Sequence, residues 1–410
     1  MNKPLRNSLL AIIIPAVFLR LVFSALYFHP DIKSHHFHAQ FLSRGVIDIY
    51  KYVLQNRDSL PYTDTFNYPP LTYYFLGSWN FIAGKILGPD FYTWLNDWGP
   101  NGYTHPRMFQ FMLVLKFPYL LFDLLIGILL YKYYYQLKAK SYKLLVLWFF
   151  NPLSLYAVYM LGQFDIICAA LTVAALLLVQ KQRLGLAALM LGLGAALKTY
   201  PLLLLPFVLI RSSTIKQFIN VAILGILIFL LPLLPVINSP AFRSSMTNSN
   251  LTQYIFYAGL PVSATQSIPY FVLIWGIVFW FSWSRRKNLD LIPEFLTLTL
   301  TVTLIAHFHA QWIVWSLPFL VRLIAGNNRF WPVAAALALG YFGTVFLVPD
   351  QYVFLGLFSA INPHVLSFPP LSQILKPVID PAFLQSVFHT ILTASGIYLI
   401  IKSWKLYEKS

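Results

Sequence analysis

Asp31 is the residue of this chain best placed for chemistry. It follows an apolar stretch at 9–28, and four histidines lie between positions 29 and 38. A carboxylate at the end of a membrane helix is partly desolvated and could accept a proton from a sugar hydroxyl. The alternative is that Asp31 only marks the membrane border. The histidines could suggest a metal, but no His-x-x-x-His pair comes with a carboxylate, so we expect neither a metal nor another cofactor.

A second polar group interrupts the apolar sequence further along. Gln163 and Asp165 lie in a short turn between two apolar spans, where an unpaired ion would be costly. We expect both to hydrogen-bond to a sugar or to a neighbouring side chain. Lys198 separates two apolar segments that are too short to cross alone, so its ammonium could bind a lipid phosphate beside the helix that begins at Pro201. Pairing of Asp165 with Lys198, or a snorkelling lysine, is the alternative.

Imidazole, amide and aromatic groups complete the candidate residues. His307, His309 and Gln311 precede two tryptophans, a combination that resembles the edge of a carbohydrate pocket, although structural histidines are the alternative. Tyr68 lies in an Asn-Tyr-Pro-Pro stretch where the prolines fix a helix entry and leave Tyr hydroxyls facing a cavity. An ordinary aromatic belt at the membrane interface would explain the same residues.

The composition predicts an all-α, polytopic membrane protein. Hydrophobic residues make up 58% of the 410 and charged residues 10%, and no barrel-like alternation is present. We expect about twelve transmembrane helices in one membrane domain, near 9–28, 108–131, 144–161, 164–180, 184–197, 201–210, 217–237, 267–283, 291–306, 311–324, 331–348 and 383–401. With the basic clusters in the cytoplasm, Asp31, the 162–165 turn, Lys198 and the 307–311 stretch all reach one external face.

The net charge of +16 comes mainly from short Lys and Arg clusters between apolar spans. That distribution follows the positive-inside rule, so we expect the lipid bilayer, and not nucleic acid, as the partner. A single cysteine, Cys168, excludes an intrachain disulfide. The first apolar span lacks a small-residue cleavage site, which predicts a retained anchor.

The loops divide the chain into modules. The first external loop, 29–67, should be the catalytic one, and its recurring apolar residues predict interfacial helices with their apolar face on the bilayer; these residues are Phe37, Phe41, Ile47, Ile49, Tyr50 and Val53. Residues 68–88 are predicted to be re-entrant or interfacial. Two further external loops, 238–266 and 349–382, belong to a variable helical module at 211–410 that follows a core module at 1–210.

These motifs together resemble the GT-C fold glycosyltransferases that use polyprenyl-phosphate sugars. Asn67-Tyr68-Pro69-Pro70-Leu71-Thr72 is similar to a stretch of the dolichyl-phosphate-glucose glucosyltransferases. Leu197-Lys198-Thr199-Tyr200-Pro201 and Gln311-Trp312-Ile313-Val314-Trp315 more closely resemble the glycosylphosphatidylinositol mannosyltransferase I group. That group carries an Asp-x-Asp pair in its first loop, whereas this chain has Lys33 at the second position.

The resemblance implies transfer of one hexose, with mannose favoured, from a polyprenyl-phosphate donor to a lipid-linked or cell-envelope glycan acceptor, with inversion. Asp31 would be the general base and Lys198 would stabilise the leaving phosphate. Tyr68, Tyr200, Gln163, Asp165 and the 307–311 residues would bind substrate. A bacterial plasma membrane, with the active site outside, is favoured over the endoplasmic reticulum. The alternatives are a lipid or solute transporter or flippase, and an oligosaccharide polymerase or ligase that uses diphosphate lipids.

Overall fold

The computed structural model describes residues 3–136, 141–247 and 253–407. The α-helices of the first half are α1 (Lys3–Leu26), α2 (Pro30–Ala39), α3 (Ile49–Gln55), α4 (Pro70–Leu87), α5 (Pro89–Asn96), α6 (Met108–Gln136), α7 (Ser141–Phe149), α8 (Pro152–Ser154), α9 (Asp165–Gln180) and α10 (Leu184–Leu197). Those of the second half are α11 (Leu205–Leu209), α12 (Ile215–Leu230), α13 (Pro240–Thr247), α14 (Tyr270–Ser284), α15 (Ile292–Thr301), α16 (Ile313–Gly326), α17 (Trp331–Phe346), α18 (Leu371–Leu375) and α19 (Pro381–Tyr407).

Other regular elements are short. Two π-helical segments are Leu155–Met160 and Val302–Ala306. The 3-10 segments of the described chain are Gln40–Arg44, Arg57–Ser59, Pro100–Tyr103, Tyr200–Leu204, Leu231–Leu233, Tyr254–Phe256, Ala310–Trp312, Asn328–Phe330, Gln351–Val353, Leu355–Phe358 and Pro363–Ser367. The expected all-α fold is interrupted only by a small antiparallel hairpin of β1 (Gly259–Pro261) and β2 (Ser267–Pro269) within these described ranges, with Leu260 opposite Ile268.

The protein is an integral membrane protein, as its composition predicts. Six segments of the described chain are long and apolar enough to cross a bilayer: Leu9–Leu26, Met108–Lys132, Tyr142–Met160, Ile215–Leu233, Asn328–Phe346 and Pro381–Leu406. Six further apolar helices are 10–17 residues long. The expected number of about twelve crossings is therefore not confirmed by helix length and composition.

The break predicted around Lys198 is present. Helix α10 ends at Leu197, and the backbone of Lys198 is extended, with φ of −151° and ψ of 127°. The chain then enters the 3-10 segment Tyr200–Leu204 and the short helix α11. A lysine between two apolar half-helices is thereby held at a point where the backbone itself is not helical.

Buried ionic groups join the first helix to the rest of the bundle. Arg20 of α1 and Asp123 of α6 are both fully buried and form an ion pair of 2.5 Å, and the Tyr159 hydroxyl donates to Asp123 at 2.7 Å. Lys116 of α6 donates to the carbonyl oxygens of Ser24, Tyr27 and Tyr159. In an apolar environment such groups must be paired, so these contacts fix α1 and the 155–160 segment against α6.

Residues 29–67 contain short helices, as predicted, but their apolar face is buried inside the protein, so the prediction that this face lies on the bilayer was wrong. Phe37, Phe41, Ile49, Tyr50 and Val53 are at most 4% exposed because they pack inside the protein. Of the predicted set, only Ile47 is largely exposed, at 54%. Helix α2 packs against α4, the helix that fills most of 68–88, so protein covers the apolar face of this loop. Whether 68–88 is re-entrant or interfacial stays a prediction.

Candidate active site

Asp31 lies in the first turn of α2. Pro30 occupies the first helical position and suits it, since its missing N–H would have no helical partner there. The ring of His29 caps the helix by accepting from the Asp31 backbone N–H at 3.2 Å. A carboxylate in the first turn is favoured by the helix dipole. The Asp31 side chain is 39% exposed because it faces a cavity.

The turn before α9 brings Gln163 to this carboxylate. The Gln163 amide donates to Asp31 Oδ2 at 2.7 Å across 132 positions of sequence. Gly162 makes this approach possible: its φ is +69°, and a Cβ there would lie 3.0 Å from the Cβ of Ile32. Only glycine combines that backbone conformation with so close a neighbour. Gln163 is 1% exposed, so it acts on Asp31 and not directly from the cavity surface.

Asp165 and Lys198 form a buried ion pair beside the same turn. Lys198 Nζ lies 2.8 Å and 2.7 Å from the two carboxylate oxygens of Asp165, and the Trp315 indole donates to Oδ1 at 2.5 Å. The pairing that was an alternative reading of these residues is thus present. Asp165 is fully buried, whereas 11% of the Lys198 side chain is exposed. Asp165 therefore holds Lys198, and Lys198 reaches the cavity.

Aromatic rings enclose the Lys198 ammonium. It lies 5.2 Å from the ring centre of Tyr68, 5.1 Å from that of Phe164 and 5.7 Å from that of Trp315. Tyr200 stacks on Trp315, with ring centroids 4.0 Å apart and an interplanar angle of 11°. Cation–π contacts of this kind favour the charged lysine and restrict where it points.

The 307–311 stretch follows the π-helical segment Val302–Ala306 and reaches the same site through Trp312 and Trp315. His309 stacks on Trp312 at 5.3 Å, and Trp312 stacks on Trp315 at 5.1 Å. His309 and Gln311 each line two neighbouring cavities, one polar and one apolar. The ring of His307 packs against Trp312 at 5.6 Å, and it is not among the residues that line either cavity in the described part of the chain.

Two cavities of opposite character meet at this site. The polar chamber, of about 360 Å³, is lined by Asp31, Ser34, His35, His38, Tyr62, Asp64, Thr65, Phe66, Asn67, Tyr68, His309 and Gln311. The apolar chamber, of about 490 Å³, contains Lys198, Tyr200, Trp312 and Trp315, and its other walls are mainly apolar side chains: Leu202, Leu203, Met246, Ile255, Phe256, Phe271, Val272 and Trp275. Asn67, Tyr68, His309 and Gln311 line both chambers. Both volumes are in the range of small-molecule sites.

The charge states follow from burial and from neighbours. Burial alone raises the pKa of Asp31, but the neighbouring His29 and the hydrogen bond from Gln163 oppose it, and the pKa lies below its usual value. Burial lowers the pKa of His35 to about 3 and that of His309 to about 4. At neutral pH the polar chamber thus combines an ionised Asp31 with two uncharged imidazoles.

Sequence reasoning found most, but not all, of the residues that meet here. The expected convergence of Asp31, the 162–165 turn, Lys198 and the 307–311 stretch is observed. No motif pointed to Asp64, an exposed acid of the polar chamber. Lys33 points away from the cavity: its ammonium donates to the Asp97 carbonyl oxygen and lies over the rings of Trp94 and Trp98. The absence of a metal requirement stays a prediction.

Comparison with known proteins identifies one family. The model of glycosyltransferase family 87 matches residues 111–349, more than half of the chain. The match includes Gln163, Asp165, Lys198 and the 307–311 stretch, whereas Asp31 and Tyr68 precede it. No curated protein matches the chain. Sequence comparison therefore assigns the family, whereas any role for Asp31 must be argued from its position in the structure.

Proposed function

The chain belongs to glycosyltransferase family 87, and from this premise we propose that it moves one hexose from a polyprenyl-phosphate donor to a glycan or lipid-linked acceptor. The observation that carries the proposal is the junction of the two chambers. A polyprenyl-phosphate sugar has an apolar chain, one anionic group and a polar sugar in series. The site offers an apolar chamber, an ammonium and a polar chamber in the same order.

One wall of the apolar chamber belongs to a helix with exposed apolar side chains. Helix α14 contributes Phe271, Val272 and Trp275 to its wall. On the same helix Val272 and Leu273 are each 46% exposed and Trp280 is 68% exposed, a composition typical of a surface that faces acyl chains. A polyprenyl chain lying along α14 could therefore place its phosphate at Lys198 without leaving the bilayer.

Lys198 suits the leaving phosphate. An ammonium has three N–H donors, and the two Asp165 oxygens account for two of them. The third is left for a phosphate oxygen in the chamber. Negative charge grows on that oxygen as the bond to the sugar breaks, and a fixed cation in a partly desolvated site stabilises it most at that stage.

Asp31 suits the role of general base. In the proposed step the Asp31 carboxylate takes the proton from the acceptor hydroxyl, and the hydroxyl oxygen forms the new bond to the anomeric carbon. The bond from that carbon to the phosphate oxygen breaks at the same time, and the polyprenyl phosphate leaves with the electron pair. One displacement inverts the anomeric centre and needs only one base. His35 and His309, uncharged at neutral pH, can hydrogen-bond to sugar hydroxyls.

The finer assignments come from the resemblance in the motifs. Mannose is the favoured sugar, since the Lys198 and Gln311 motifs resemble the mannosyltransferase group. The favoured location is a bacterial plasma membrane with both chambers on the external side. The family assignment supports an enzyme and disfavours the transporter or flippase.

A transfer assay on the purified protein tests this function. Detergent-solubilised wild type is given polyprenyl phosphates that carry different radiolabelled hexoses, with a parallel set of diphosphate donors to detect a polymerase or ligase. We expect turnover of a monophosphate donor, and its loss by at least about a thousandfold in Asp31→Asn, because a missing general base and its charge cost this much or more. Glycosyl transfer that Asp31→Asn leaves at the wild-type rate would contradict the assignment of the base.

A further inference from the structure

We propose that Asp64 and Tyr62, on the solvent side of the polar chamber, bind the acceptor by two neighbouring hydroxyls of an uncharged sugar. This inference rests on the proposed function and names the class of its second substrate. Gln163 binds Asp31 from the same turn whose Asp165 holds Lys198, so Asp31 lies on the donor side. Asp64 and Thr65 line the same polar chamber but are exposed, which places them where an acceptor would enter.

The Asp64 carboxylate is held in a defined position. The Tyr62 hydroxyl donates to Asp64 Oδ2 at 2.6 Å, and the Tyr62 ring stacks on Trp98 with centroids 4.0 Å apart. The ring of His38 contacts the carbonyl oxygens of Asp64 and Ser34 at 2.8 Å and 2.9 Å, which ties the loop to α2. A carboxylate has about four lone-pair sites, so one hydrogen bond from Tyr62 leaves room for a pair of adjacent sugar hydroxyls.

Two buried polar atoms close to Asp31 lack partners in the described chain. His35 is 6% exposed and Gln163 is 1% exposed, and within the described residues neither His35 Nδ1 nor Gln163 Oε1 has a hydrogen bond. His35 lines the polar chamber. An unpaired buried polar atom is costly, so a bound hydroxyl group that reaches His35 would stabilise the site.

The charges of the chamber select an uncharged acceptor group. Its lining carries two carboxylates, Asp31 and Asp64, while burial keeps His35 and His309 neutral at pH 7. The nearby ammonium of Lys198 lines the apolar chamber and not the polar one. A phosphate or carboxylate placed between Asp31 and Asp64 would be repelled at short range, whereas hydroxyls donate to both acids.

Acceptor kinetics test the proposal. The probes are methyl α-mannopyranoside and its deoxy analogues, each lacking one ring hydroxyl. They are given to wild type, Asp64→Ala, Tyr62→Phe and a control, Asp58→Ala. The control removes an acid of the same loop that does not line the chamber. Donor turnover in water without acceptor is measured in parallel. We expect Asp64→Ala to raise the acceptor KM on the order of tenfold, with kcat and donor hydrolysis little changed, and Tyr62→Phe to raise it less. Asp58→Ala should match wild type.

The two proposals fail differently. If neither wild type nor any variant consumes a polyprenyl-phosphate donor, the proposed function is wrong. If donor is consumed but no methyl glycoside accepts sugar, or if Asp64→Ala and Asp58→Ala have the same acceptor KM, the acceptor site is wrong and the function stands. If the proposed site is correct, removing a contacting hydroxyl from the glycoside should raise the acceptor KM in wild type. The same removal should have little further effect in Asp64→Ala.

Discussion

Removing both charges of the Asp165–Lys198 pair should separate the structural part of Lys198 from its part in catalysis. We expect Lys198→Met to destabilise the protein and to abolish donor use. The double variant Asp165→Asn with Lys198→Met should regain most of the stability, because no buried charge is left alone, and it should remain inactive. A purely structural lysine would make the double variant active again.

The size of the effect follows from the geometry. Asp165 is fully buried and accepts two hydrogen bonds from Lys198, at 2.7 Å and 2.8 Å, so Lys198→Met leaves its carboxylate with Trp315 as the remaining donor. Breaking one side of a buried ion pair typically costs about 3–5 kcal/mol, whereas replacing both sides with neutral groups is often nearly neutral. Stability is measured as the thermal unfolding midpoint in detergent, and transfer is measured per folded molecule.

The Arg211–Glu294 pair is the matched control, because its 3.0 Å contact is also buried and neither residue lines either chamber in the described chain. Arg211→Met should lower the unfolding midpoint by a comparable amount while transfer per folded molecule stays near wild type. Recovery of both stability and transfer in the double variant at the donor site would refute a role for Lys198 in binding the leaving phosphate. Loss of acceptor affinity alone in Lys198→Met would refute it equally.

Three further predictions concern Asp31 and the turn that carries Gln163. Transfer needs the ionised Asp31, whose pKa lies below its usual value, so the rate should stay level from pH 7 down to about pH 5 and fall only at more acid pH. In Gln163→Leu the hydrogen bond that lowers this pKa is lost, so the acid fall in kcat/KM should move to higher pH; an unmoved profile would contradict the coupling. Gly162→Ala should reduce both kcat and stability, because φ is +69° and the new Cβ would approach Ile32. The strain should cost roughly 1–3 kcal/mol of stability. A variant with wild-type kinetics and unfolding midpoint would show that the turn tolerates alanine.

Residues of special type were informative in the sequence. An aspartate after an apolar span, a lysine between two short apolar segments and a His-x-His before two tryptophans each stand out because ions and imidazoles are costly in a membrane. Helix α10 was predicted with its observed bounds, since a charged residue and a proline follow it closely. Apolar length and composition were sufficient to establish an integral membrane protein.

Partners distant in sequence could only be learned from the tertiary structure. The contact of Gln163 with Asp31, the choice of Asp165 as the partner of Lys198, and the place of Asp64 in the polar chamber all join elements packed by the bundle. The apolar residues of the first loop show the same limit: helical spacing predicts an apolar face, but it does not say whether lipid or protein covers it. Sequence fixes what a side chain can do, because its chemistry is local, whereas packing decides which groups it meets.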